Sequence, residues 1–232
     1  MPYEREKTLK KILSDAGYSV PDDAQKCYPE RSDVVNSDFA SDVTDVYQKL
    51  GGVLPAFPQN RLRRSDVQIE NVAIELDEEN HFNRYRRDTL SANAYSNLNR
   101  FPINEYRNYC NEYEKECSTH GRYWTTPSSE RQFGASSPNG DLEGNGSSRW
   151  KQRAFYDFVK DLSPILLDVR LARISIWDTI EVDGKSVLVD NVLSDVSLKQ
   201  AAVPAIVLLI QERAGTEFSS TNDEHDHSVR RG

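Results

Sequence analysis

Cysteine, methionine and histidine are scarce in this 232-residue chain, at 3, 1 and 4 residues. Three cysteines are an odd set, which argues against a disulfide framework and makes a reducing compartment the expectation. No run approaches the ~20 apolar residues that span a bilayer. The opening MPYEREKTLKKILSDAG is charged where a signal peptide would be apolar. These absences lead us to expect a soluble, cytoplasmic protein with no membrane partner. Hydrophobic residues reach only 37% and mean hydropathy is -0.70, so extensive polar loops are expected. Basic residues are outnumbered by acids, 29 to 37, and the net charge of -8 argues against a general nucleic-acid coat protein. A nuclease stays open, because carboxylates that hold metals are themselves acidic and cations can cluster locally.

The length suffices for a full core, and one domain over residues 1–218 is expected, ahead of a disordered tail over 219–232. Apolar spacing predicts helices over 3–16, 39–50, 82–90, 149–162 and 196–213, the last with Pro204 inside it. Residues 18–37 read as a loop, and VLPAF at 53–57 as a short edge strand. DVQIEN and VAIELD, over 66–77, read as two short strands around Asn71 or as one long bent strand. A further strand is expected over 169–177, and a hairpin around Asp183-Gly184. The stretch 91–148 reads as a long insertion, and its last 24 residues are almost all turn formers, expected as a mobile loop. The class is α/β with a central mixed sheet flanked by helices.

Chemistry concentrates where VAIELD ends. Alternation along a strand sends Val72, Ile74 and Leu76 to one face and Ala73, Glu75 and Asp77 to the other. Asp66 and Glu70 lie on the preceding strand, which a turn at Asn71 can bring opposite. Carboxylates gathered this closely repel unless a cation or proton sits between them. Oxygen-only ligation suits Mg²⁺ or Mn²⁺, and such a site polarises a phosphoryl group and activates water. The competing reading is an exposed strand end whose acids face solvent or pair with arginines.

Ile74, Glu75, Asp77 and His81, followed by Arg153 with Asp157 on a helix and by Ala172-Arg173-Ile174 on a strand, resemble the PD-(D/E)XK restriction-endonuclease-like superfamily. Within it the pattern is most similar to the very-short-patch-repair-like branch. The resemblance covers roughly residues 40–90 and 149–178. Glu78 stands where that branch usually has glycine, and Glu75-Leu76-Asp77 lacks the motif lysine. Gln152 and Tyr156 also resemble the Gln-x-x-x-Tyr helix motif of exonuclease-type members, which helps place DNA near the metal.

The resemblance implies a restriction-endonuclease-like core and a Mg²⁺- or Mn²⁺-dependent endonuclease acting on DNA. Glu75 and Asp77 would ligate the metal with Asp66 or Glu70 completing the set, and His81 would act as general base or orient water. Arg84, Arg86, Lys151 and Arg153 would hold phosphate, and the alternative for the arginines is pairing with Asp88 or Glu79. Arg61, Arg63 and Arg64 form a further short basic cluster. By analogy, the setting is a prokaryotic antiviral defence or repair system with a protein partner that supplies recognition. The rival readings are a nuclease-like interaction subunit without catalysis and an unrelated α/β binding module. Separately, Cys110, Cys117 and His120 offer ligands for a structural Zn²⁺, although buried cysteines more often act as small hydrophobes.

Overall fold

The computed structural model describes residues 4–21, 27–58, 64–120, 124–195 and 197–218, and for residues 119 and 120 the backbone alone. The chain divides into two compact units, Met1–Lys26 with Arg64–Asp77 and Val169–Gly232, and Cys27–Arg63 with Glu78–Asp168. The expected tail over 219–232 lies outside the described residues, as do Arg61 and Arg63.

The first unit is mixed α/β. Helix α1 (Glu4–Asp15) buries Leu9, Ile12 and Leu13, the face its spacing predicts. Strands β1 (Val67–Ile69) and β2 (Val72–Asp77) pair antiparallel, with Ile69 opposite Val72, so Glu70 and Asn71 make the turn. Glu70 takes a left-handed φ of 49° there. Strand β3 (Arg170–Ser175) joins β2 in parallel, giving the sheet order β1-β2-β3. A separate hairpin, β4 (Thr179–Val182) and β5 (Lys185–Leu188), turns through Asp183-Gly184. Both turn residues have positive φ, 50° and 72°, which a tight two-residue hairpin requires and which Gly and Asp tolerate.

Helices α10 (Val189–Ser194) and α11 (Lys199–Ala214) complete this unit, with α11 against β3 and β4. Pro204 sits inside α11, where it removes one backbone donor. Val72, Ile74 and Leu76 from β2 join Ile174 and Ile176, α1 and α11 in one apolar core. The opposite face of β2 is buried too, although it carries Glu75 and Asp77. Alternation therefore separates the apolar set from the acidic set, as expected.

The second unit is helical. It comprises α2 (Arg31–Val35), α3 (Ala40–Lys49), α4 (Arg84–Thr89), α5 (Ile103–Glu112), α6 (Glu114–His120), α7 (Pro127–Phe133), α8 (Ser148–Asp161) and α9 (Ser163–Leu166), with 3₁₀ turns at Glu79–His81 and Asn93–Asn97. Its interior is aromatic. Tyr47 packs edge-on to Phe133 and tilted on Phe155, and Phe82, Phe101 and Tyr106 form a second cluster.

Three local expectations are corrected. Residues 18–37 contain α2, whose Glu30 and Asp33 side chains close a capping box. Residues 53–57 form no strand, because Val53 N–H donates to Gln132 O at 2.9 Å and Leu54 N–H to Tyr47 Oη at 3.2 Å. Those donors serve a helix end and a side chain, which leaves no ladder. The stretch 125–148 holds α7, started by a Thr126 cap that accepts from Ser129 N–H, with Pro127 at the first helical position. Beyond α7, Asn145 Nδ2 donates to the Phe133 and Ala135 carbonyls. No helix among the described residues is long and apolar enough to cross a membrane.

Candidate functional site

In the first unit, parallel pairing sets Arg173 of β3 directly opposite Glu75 of β2. Opposed residues project to one face, so the arginine meets both acids. Its Nη1 donates to Asp77 Oδ1 at 2.6 Å and lies 4.0 Å from Glu75 Oε2. All three residues are about 2% exposed or less, so these charges interact in a medium that screens far less than water. Burying them unmatched would cost several kcal/mol each, roughly, and the guanidinium offsets part of that.

The other two acids of the expected set go elsewhere. Asp66 Oδ2 accepts the Leu76 backbone N–H at 2.9 Å, which anchors the start of β1 to β2. Glu70 is exposed in the turn at the opposite end of the hairpin from Asp77. The structure thus gathers Glu75 and Asp77 but not Glu70.

The second unit holds the remaining candidates, most of them on or around α8. His81, at the end of its 3₁₀ turn, meets Asp157 of α8, with Nδ1 2.8 Å from Oδ2. An ionised carboxylate only accepts, so Nδ1 carries the proton and a neutral ring has its lone pair on Nε2. Asp157 is nearly buried and His81 about one-fifth exposed. This is the arrangement of a base held by an orienting acid.

Gln152 and Tyr156 converge on Gln132 of α7. Gln152 Nε2 donates to Gln132 Oε1 at 3.0 Å and to Ser128 Oγ at 3.3 Å, while Gln132 Nε2 donates to Tyr156 Oη at 2.9 Å. One helical turn separates Gln152 from Tyr156, so a single partner reaches both. Arg149 Nη1 joins the chain by donating to Gln152 Oε1 at 2.6 Å.

The four basic residues read from sequence have four different fates. Arg84 grips Glu114 of α6 through two side-chain hydrogen bonds of 2.9 Å, and its backbone N–H adds a third at 2.8 Å. Burial pushes the Glu114 carboxyl up, but these bonds outweigh it and hold the group below its ordinary range. Arg86 is fully buried, with Nη2 2.7 Å from Asp161 Oδ2. Lys151 is buried against Asn145 Oδ1 at 2.5 Å and lies over the Tyr85 ring, and burial pulls its ammonium below the ordinary lysine value. The Arg153 side chain makes no hydrogen bond or ion pair within the described residues.

Cys110 and Cys117 are both buried, and the His120 side chain lies outside the described residues. Burial pushes the Cys117 thiol up to about 12, even though Asn83 Nδ2 donates to its sulfur at 3.6 Å. A thiol held protonated behaves as a small apolar group.

Sequence reasoning passed over Arg149 and Gln132, and it gave Arg173 and Asp157 no site role. Arg149 was legible in principle, being one turn before Arg153 on a helix that was expected. Arg173 was not, because only the parallel register sets it against Glu75.

No curated protein and no solved structure matches the chain. A family model, described as a family of unknown function (DUF7255), matches residues 45–195, roughly two-thirds of the length, from within α3 to the end of α10. The chain belongs to that family.

Proposed function

We propose that the protein is a divalent-metal-dependent nuclease with a restriction-endonuclease-like core, hydrolysing phosphodiester bonds in DNA. The observation that carries this reading is the pair of buried carboxylates, Glu75 and Asp77, on one face at the end of β2. Their oxygens are the donor type that Mg²⁺ and Mn²⁺ prefer. A bound metal would supply Lewis-acid activation of water and phosphoryl oxygen.

The succession of elements supports the reading as well. A strand with Glu-x-Asp, a helix carrying Gln152 and Tyr156, and a strand carrying Arg173 follow one another as the resemblance requires. The motif lysine is missing from β2, yet β3 delivers a cation to the same carboxylates through Arg173. In hydrolysis Arg173 would fix the orientation of Asp77. A defence or repair setting with a recognition partner belongs to this proposal by analogy alone.

One observation favours a second reading, a nuclease-like interaction subunit without catalysis. Arg173 already stands 2.6 Å from Asp77, where a protein cation competes with a metal for the same oxygens. Arg84 and Arg86 are likewise committed to Glu114 and Asp161.

The two readings separate in a cleavage assay on single-stranded and duplex DNA with Mg²⁺ or Mn²⁺. Cutting by the wild type that Asp77→Asn abolishes, in a variant whose thermal unfolding shows a folded protein, is the expected result. Undiminished cutting in that variant would remove the proposed site. A wild type that cuts nothing with either metal would favour the second reading.

A further inference from the structure

The first two turns of α8 hold two cations that no ion pair among the described residues neutralises. Arg149 is the second residue of the helix and Arg153 lies one turn later. The first turn contains no acidic residue. A helix N-terminus carries partial positive charge, so two cations there meet both the macrodipole and each other. The chain has an excess of acids, 37 against 29 basic residues, yet spends none of those described on an ion pair with either arginine.

Among the described residues, the one guanidinium N–H donor of Arg149's five that is engaged meets a neutral amide, Gln152 Oε1, at 2.6 Å. Burial lowers its guanidinium from the ordinary value and Arg153 lowers it further, against smaller raising contributions from Tyr156 and Asp157. Asp157, one turn beyond Arg153, holds His81.

We propose that Arg149 and Arg153 form a binding site for a phosphate group. Two guanidiniums on one helical face match the flat, several-oxygen geometry of phosphate, and the helix N-terminus favours the same sign of charge. The Gln132–Gln152 network gives Arg149 a fixed direction, since Gln152 is itself buried and held by Gln132 and Ser128. A preorganised guanidinium loses less side-chain freedom when the anion arrives. This deepens the nuclease reading and rests on it for the identity of the natural phosphate, but it concerns capture and not hydrolysis.

The test is binding by the full chain in EDTA, where metal-dependent cutting is silent. Fluorescence anisotropy with labelled single-stranded and duplex oligonucleotides would compare wild type with Arg149→Gln, Arg153→Gln and Arg149→Lys. Competition with inorganic phosphate and with a nucleoside monophosphate distinguishes a free phosphate source from a nucleic-acid backbone. Each glutamine variant should weaken binding about tenfold and lower the salt slope by about one, with partial rescue by lysine at position 149. The Arg153 side chain makes no hydrogen bond or ion pair among the described residues, so Arg153→Gln removes none of those bonds. Because EDTA silences cutting, loss of capture is read apart from loss of cutting. Equal affinity in the wild type and both glutamine variants would overturn the proposal. So would a wild type that binds none of these probes below about 1 mM.

Discussion

Arg86 and Asp161 meet at 2.7 Å with side chains 1% and 0% exposed, and Tyr95 Oη donates to the same carboxylate oxygen at 2.5 Å. Arg86 also donates to Tyr95 Oη at 2.9 Å and lies over the Phe101 ring. The pair ties α4 to α8 with both charges buried.

Arg86→Met should therefore cost about 3–5 kcal/mol, because Asp161 is left buried without its guanidinium. Replacing both partners, Arg86→Met with Asp161→Leu, should cost less than the single change. Urea titration of the two variants checks the order. A double variant less stable than the single one would show that the charges do more than cancel.

Cys117 predicts a loss of stability in alkali. Its thiol is raised from 9.0 to about 12 in the folded protein, so between those values the folded state holds the proton more tightly than the unfolded chain. The stabilisation is complete below about pH 9 and is lost as pH rises toward 12, by at most roughly 4 kcal/mol. Unfolding free energies of wild type and Cys117→Ala, measured from pH 8 upward, should diverge in slope. The native thiol should also react with an aromatic disulfide reagent far more slowly than the denatured one.

Gly52→Ala tests the close approach at the end of α3. A Cβ there would overlap the ring of Tyr47, which is fixed by Phe133, Phe155 and a 2.7 Å hydrogen bond to Gln132 O. Because the ring has nowhere to retreat, the variant should lose about 1–3 kcal/mol. Thermal unfolding gives the answer, and an unchanged midpoint would mean that the loop after α3 yields instead.

Lys151 gives a contrast with Arg149. Its amine is turned to Asn145 and the Tyr85 ring, so Lys151→Met should leave oligonucleotide binding within about twofold of wild type. Its folded-state value is depressed, so the unfolded chain binds the proton more tightly and wild-type stability rises with pH toward the ordinary lysine range. The methionine variant should lack that rise. A loss of binding as large as that expected for Arg149→Gln would place Lys151 in the phosphate site.

The sequence by itself determined the elements with strong period and the division of faces. Spacing of Leu9, Ile12 and Leu13 gave α1, the run from Trp150 to Phe158 gave α8, and alternation in VAIELD put Glu75 and Asp77 on one side of β2. These are consequences of backbone geometry, so nearest neighbours in the chain suffice to read them. Asp183-Gly184 announced its hairpin for the same reason. Helix α7 was concealed because Ser, Asn and Gly around it favour turns, and only the Thr126 cap and the packing of Phe133 decide for the helix.

Partner choice was decided by the tertiary structure alone. Arg84 and Arg86 are two residues apart, yet one takes Glu114 and the other Asp161, thirty and seventy-five positions away. Charge acts through space and depends on distance and burial, neither of which a linear pattern contains. The same holds for Arg173, whose place against Asp77 follows from a parallel register formed across 96 residues.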